Sequence, residues 1–325
     1  MNHTIEIFAT LGERLNSFGK DSTSLKVMRH AMEQNEWFSE KDILLAIKAI
    51  REEFLSREKL QRWAAAYTRG EAKRTAIIMA GNIPLVGFYD LLCVLMAGHT
   101  ALVKPSSKDR VLMEYIIGEL RDISPDIAIE EYTEPSALDM AIATGGDEAA
   151  RYFRNRYADL PTIIRGSRHS LAVLDGEESE QEQEGLNCDI FSYNGLGCRN
   201  ISLIFLPQGA ELKITPQRPV NQMMMGNYLH NKALKSMLGV PFADLGGYIT
   251  VESCSFSNDI SQINYCFYKE LSEVEKWITE NDEKIQCIVS NSINHPRQVA
   301  FGRAQYPTLW DVADGVDVMK FLTQE

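Results

Sequence analysis

The chain has no CxxC pair, no histidines at metal-ligand spacing, no GxGxxG fingerprint and no apolar run long enough to span a bilayer. The first two absences argue against a structural zinc site, so no metal is expected. The third removes the standard dinucleotide fingerprint but leaves other glycine turns open. Positive charge is also in short supply. A net charge of −12 argues against nucleic acid or an anionic membrane surface as the main partner. The opening MNHTIEIFATLGERL has no signal-peptide pattern. The six cysteines (Cys93, Cys188, Cys198, Cys254, Cys266 and Cys287) are scattered, and read as reduced thiols of a cytoplasmic protein.

At 325 residues and 45% hydrophobic composition, the chain can bury two cores, and two domains are expected. The first seventy residues are charged and helical. Ser39 followed by Asp42 resembles a capping box, and Ile43, Leu44, Ile47, Ile50 and Phe54 keep helical spacing. Beyond Gly70, strand candidates at 75–80, 101–104, 127–132 and 139–144 alternate with helix-length runs, including 108–120 and 147–157. This alternation predicts an α/β fold with a parallel sheet covered on both faces. The acidic stretch DGEESEQEQEG reads as a solvated loop or exposed helix face, and a boundary just before it divides the chain into 1–173 and 174–325. The second part carries the strand ISLIFLP, a loop with Pro207, Pro216 and Pro219, and a helix whose methionines read as core filler. Strands at 262–268 and 285–290 and a helix at 272–280 follow.

The segment FSYNGLGCRN is the most informative stretch. Gly195 and Gly197 would let the backbone approach a ligand, and Arg199 beside Cys198 would favour the thiolate. Without further context Cys198 reads as a small buried apolar residue. Asn82, in GNIP after the first strand, is either part of a plain strand-to-helix turn or an amide aimed at an oxyanion. Lys104 in ALVKPSS is either a solvated lysine or a ribose ligand, with Ser106 and Ser107 capping the next helix near phosphate. No carboxylate directly follows Pro105, and this favours NADP(H) over NAD(H). Thr144, Gly145 and Gly146 form a turn that either touches a cofactor or only bends the chain. His169 and His295 are candidate acid–base groups with a polar structural role as the alternative.

Taken in order, IIMAGNIPLVGFYDLLCVLMAGHTALVKPSSKD, IATGGDEAARYF, IIRGSRHSLAVLDG, DIFSYNGLGCRNIS and QYPTLWDVADGVDVMKFL resemble the acyl-CoA reductase (LuxC-like fatty-acid reductase) branch of the aldehyde dehydrogenase superfamily. The resemblance implies an aldehyde dehydrogenase-like fold, with a Rossmann-type parallel-sheet cofactor domain and a smaller α/β catalytic domain. It places Cys198 on the nucleophile and Asn82 on the oxyanion-hole asparagine, with the Cys198 N–H as second donor. Lys104 falls on the adenine-ribose lysine, and Thr144, Gly145 and Gly146 on the turn near phosphates and nicotinamide. Where related dehydrogenases carry a water-activating glutamate, this chain reads TIIRGSRHS, without a carboxylate. No later glutamate-phenylalanine motif for the nicotinamide ribose is found.

The implied activity is NAD(P)H-dependent reduction of an acyl thioester, on coenzyme A or a protein, to an aldehyde through a cysteine acyl-enzyme. A non-catalytic nucleotide- or acyl-binding protein on the same fold stays open, as does a CoA-acylating aldehyde dehydrogenase running oxidatively. Nothing in the sequence decides against a homo-oligomer.

Overall fold

Four amphipathic helices open the chain: α1 (Asn2–Arg14), α2 (Ser22–Gln34), α3 (Glu40–Ala49) and α4 (Arg57–Ala64). A computed structural model describes residues 1–134, 136–216 and 220–324, so Pro219 lies outside the described residues. Side-chain oxygens stop the orphan N–H groups at three helix starts. Asp21 accepts from Thr23 and Ser24, Ser39 from Asp42, and Ser56 from Lys59.

The alternation that follows builds β1 (Arg74–Ile78), α5 (Phe88–Ala97), β2 (Thr100–Lys104), α6 (Arg110–Ile123), β3 (Ile129–Glu131), β4 (Met140–Thr144), α7 (Asp147–Arg156) and β5 (Thr162–Arg165). All five strands are parallel, in the order β3-β2-β1-β4-β5. Side chains alternate between two apolar layers, as strand pleating requires. Ile77, Val103 and Ile142 face a core shared with α1 to α6, while Ala76, Leu102 and Ala143 face Phe153 of α7 and Tyr157 just after it. Helix α5 is buried almost all round, and its Phe88 meets Phe8 edge-on at 6.2 Å.

The second sheet contains β6 (His169–Val173), β7 (Ile201–Pro207), β8 (Ala243–Asp244), β9 (Ile249–Glu252), β10 (Gln262–Tyr268), β11 (Ile285–Val289) and β12 (Gln298–Val299), in the order β12-β11-β6-β7-β10-β9-β8. Among the described residues of this sheet, only the β8–β9 pair is antiparallel. Helices α8 (Glu180–Phe191), α9 (Gln222–Met237) and α10 (Leu271–Glu280) belong to this unit. Helix α8 grows out of the acidic stretch through a capping box between Ser179 and Glu182.

By internal contacts, one compact unit comprises residues 1–167 and 306–325, and the other residues 168–305. The division expected at 173/174 therefore moves back by one strand, because His169–Val173 pairs with β7 and β11. The chain's last helix, α11 (Val318–Thr323), returns to the first unit. There Tyr67 donates to Asp317 at 3.1 Å, and His99 Nδ1 accepts the Lys73 N–H. That bond puts the ring proton on Nε2, which donates to the Leu322 carbonyl at 2.8 Å.

Two other expectations are corrected. Cys254 and Cys266 form a disulfide rather than two reduced thiols. The cause is tertiary: β9 and β10 are neighbours, which brings the two Cα atoms to 4.9 Å. The methionines of α9 are not uniformly core, since Met224 is fully buried but Met237 is 85% exposed. Among the described residues no helix is long and apolar enough to cross a membrane.

Two buried ionisable side chains anchor the units separately. In the first, Arg165 at the end of β5 donates to both oxygens of Asp90, at 2.7 and 3.0 Å, with Asp314 at 3.9 Å. Burial works against the guanidinium charge, but these carboxylates overcome it and raise its pKa. In the second, Asp189 of α8 is 1% exposed and accepts the N–H groups of Gly302 and Ala304 at 2.7 and 3.0 Å. Burial pushes its carboxyl up to about 7, against the pull of those two N–H groups.

Each anchor generates a prediction. Asp90→Ala strands a buried cation and is expected to lower unfolding free energy by about 3–5 kcal/mol in urea titrations. A loss under about 1 kcal/mol would contradict the pairing. For Asp189 the folded carboxyl holds its proton more tightly than the unfolded one. Its stabilising contribution is therefore complete below about pH 4 and is lost as pH rises through about 7. Denaturation midpoints of the wild type should fall across that window, and Asp189→Asn should flatten the slope; an unchanged slope would remove Asp189 as its source.

Candidate active site

The first sheet reverses direction between β1 and β4. From β1 the chain builds outward through β2 and β3, then returns to place β4 and β5 on the other side. Loops leaving the carboxyl ends of β1 and β4 diverge there and open the crevice in which open α/β sheets bind ligands. Asn82, Lys104, Ser106, Ser107, Thr144, Gly145 and Gly146 all lie on this edge.

The β1 loop is tightly held. A Cβ on Gly81 would stand 2.6 Å from the Ser106 side chain, so glycine permits the close approach of the two loops. Leu85 adopts a left-handed φ of 58°, a costly conformation for a branched side chain. Its N–H is held by Asp109 Oδ2 at 2.8 Å. Asp109 is 2% exposed, and burial drives its carboxyl well above the usual range. Asn82 lies exposed in this loop.

The β2 loop carries Lys104, exposed, with its ammonium 5.8 Å from the centroid of the Tyr132 ring. Ser106 and Ser107 do not cap α6 as expected. Asp109 occupies the N-cap without a side-chain capping bond, and Ser106 Oγ accepts instead from the Lys108 N–H at 3.3 Å within the preceding turn. After β4, the Thr144 hydroxyl accepts from Arg165 at 3.3 Å, and the Gly145 N–H donates to the Arg165 carbonyl at 3.2 Å. A Cβ on Gly145 would come within 2.8 Å of Ala149, whereas Gly146 has open space and an ordinary φ.

These residues fit a nicotinamide dinucleotide in one respect more than another. Lys104, Lys108 and Arg110 are exposed around the β2 loop and can face phosphate. The positive end of α7 is already compensated by Asp147 and Glu148 in its first turn.

Cys198 lies in the second unit, on the turn that leads into the amino end of β7. Its side chain is exposed and outside any disulfide, while Cys93 and Cys287 are buried. Exposed Cys188 sits within α8. Three successive residues before the turn, Tyr193, Asn194 and Gly195, have φ of 53°, 54° and 73°. Gly195 therefore answers a backbone requirement, while Tyr193 and Asn194 store strain.

Buried Asn200 holds this turn. Its amide donates to the carbonyls of Asp189, Ile190 and Ser192 at 3.0, 3.2 and 2.8 Å, and its oxygen accepts the Gly197 N–H at 2.8 Å. The Cys198 carbonyl accepts from Ser170 at 2.8 Å. Arg199, expected beside the thiol, donates through Nε to the Ala304 carbonyl at 2.6 Å. His169 stacks on Phe256 at 4.9 Å, and both ring nitrogens of His295 are engaged, with Asp282 and with the Arg297 N–H. Asn200, Ser170, Asp109 and the Arg165–Asp90 pair escaped sequence reasoning. Only Asn200 carried a signal, through its place directly after Cys198 and Arg199.

Comparison with known proteins accounts for both halves. A family model for acyl-CoA reductase (LuxC) matches residues 13–218, more than half of the chain. The long-chain acyl-protein thioester reductase of Aliivibrio fischeri is 24% identical over 151 residues. That match takes in 41% of this chain and about a third (32%) of that protein's length. Aldehyde dehydrogenase 21 of Physcomitrella patens, solved with succinate, superposes with a TM-score of 0.67 at 10% identity, covering 99% of this chain and 83% of that one. Succinic semialdehyde dehydrogenase of Streptococcus pyogenes, solved with NADP+, gives 0.62 at 12% identity, covering 90% and 78%. Structures that hold NAD+ are similar as well. Two α/β units, the reversal point of the first sheet and the cysteine turn before β7 thus have a common explanation: the chain has the aldehyde dehydrogenase fold and belongs to the acyl-CoA reductase (LuxC) family.

Proposed function

We propose that this protein reduces an acyl thioester to an aldehyde with a nicotinamide cofactor, through an acyl group held on Cys198. The observation that carries the direction of the reaction is Arg165. At the strand end where the resembling dehydrogenases place a water-activating carboxylate, this chain has a guanidinium. The nearby carboxylate, Asp90, is bound by it through both oxygens and is not available as a base. This pairing supports discharge of the acyl-enzyme to hydride rather than to water.

The Cys198 thiolate attacks the thioester carbonyl and expels the carrier thiol, leaving the acyl group on sulfur. The Cys198 N–H and the Asn82 amide are assigned to the oxyanion. Each such donor is worth about 2.7–4 kcal/mol in the transition state. Lys104 is assigned to the cofactor's adenine ribose, Ser106 and Ser107 with Lys108 to its phosphate side, and Thr144 to Gly146 to the turn against it. The reduced nicotinamide, when bound, supplies the hydride that releases the acyl group as aldehyde. The relative, a long-chain acyl-protein thioester reductase, supports a long acyl chain on a protein carrier, and the acyl-CoA reductase family supports coenzyme A as the other carrier.

Two outcomes are expected. Radiolabelled acyl-CoA should mark the wild type and not Cys198→Ala, and mixing with NADPH should discharge the label as aldehyde. No acylation and no NADPH oxidation with short and long acyl-CoAs alike would overturn the proposal in favour of a non-catalytic binding role. NADPH should also outperform NADH, and Lys108→Glu should raise the KM for NADPH about tenfold, the size of one charge-assisted phosphate contact. Equal KM values before and after that substitution would remove the preference for the 2′-phosphate.

A further inference from the structure

We infer that Asn200 and Ser170 are positioning residues that set the two peptide planes on either side of Cys198, and so aim its N–H. The inference rests on the proposed role of Cys198. Its basis is local geometry within the second unit.

The plane before Cys198 contains the Gly197 carbonyl and the Cys198 N–H. Because a trans peptide is planar, those two groups point in opposite directions. The Asn200 N–H donates to the Gly197 carbonyl at 3.0 Å and closes the turn. That carbonyl faces the inside of the turn, so the Cys198 N–H points away from the Asn200 N–H that closes it. Closing the turn is a backbone matter, but fixing it in place is not. The Asn200 side chain ties the Gly197 N–H to three carbonyls at the end of α8 and just beyond it. Asn200 is 4% exposed and all of these partners are backbone groups, so no solvent molecule replaces them at equal cost.

The plane after Cys198 contains its own carbonyl. Ser170, fully buried on β6, donates to it, while the same oxygen accepts the Cys287 N–H at 3.1 Å and the Cys287 thiol at 3.2 Å. The one hydroxyl proton and both lone pairs are thereby used. The Asn200 and Ser170 side chains are both buried and committed to these bonds. Their effect on chemistry runs through the direction of the peptide.

Two reactions of the same thiol separate aim from general damage. Acyl transfer builds an oxyanion and needs the aimed N–H; alkylation by iodoacetamide builds none. In the full chain, Asn200→Ala is expected to slow acyl transfer from acyl-CoA to Cys198 by about 10- to 100-fold, with the alkylation rate changed by less than about threefold. Ser170→Ala, which loses one side-chain donor, should slow acyl transfer about 3- to 10-fold with the same selectivity. If Asn200→Ala does not fold by circular dichroism, Ser170→Ala decides. Equal loss of both reactions, or no loss of acyl transfer, overturns the inference. A wild type that accepts no acyl group sinks the proposed function first and this inference with it, whereas an acylated wild type with indifferent variants sinks this inference alone.

Discussion

A backbone polar group that leaves a strand or helix inside a protein must still be hydrogen-bonded, and the functional loops of this molecule are shaped by that obligation. Asp109 meets it for Leu85 in the β1 loop, and Asn200 for the last carbonyls of α8. In each place a buried polar side chain does what a regular ladder can no longer do. The loops are consequently held by buried bonds, and exposed side chains such as Lys104 are left at the rim.

The same obligation explains how strain is tolerated. Leu85, Tyr193 and Asn194 each hold a left-handed backbone that an ordinary side chain resists. Leu85 is fixed by the buried carboxyl of Asp109, and the Tyr193–Asn194 bend is bracketed by the Asn200 bonds to Ser192 and Gly197. Strained backbone persists only where its surroundings over-determine it, and here both instances flank residues assigned to the reaction. The buried Arg165–Asp90 pair belongs to the same economy of polar groups. It neutralises a strand end and at the same time withholds a carboxylate from water.

Much of the first unit was legible. Strand candidates at 75–80, 101–104 and 139–144 lie within a residue or two of β1, β2 and β4, because short apolar runs bounded by glycine and proline leave few alternatives. The serine cap before α3 was legible for the same local reason. The second unit was harder. Its boundary was set one strand late, because the acidic stretch is a visible composition shift whereas the true division at 167/168 depends on which neighbours β6 pairs with. The expected serine caps of α6 failed because the chain makes an extra turn first, leaving Asp109 at the N-cap and committing its carboxylate to Leu85.

By itself, the sequence determined the alternation of strands and helices, the acidic balance, the glycine-cysteine turn before an apolar strand and the family resemblance. These are properties of neighbours along the chain, set by side-chain period and local turn chemistry. Tertiary structure alone decided that Cys254 meets Cys266, that Arg165 is neutralised by Asp90 seventy-five residues away, and that Ser170 and Cys287 lie behind the Cys198 carbonyl. Such contacts depend on which strands become neighbours in a sheet. Strand order follows from the packing of whole layers, and no local pattern encodes it.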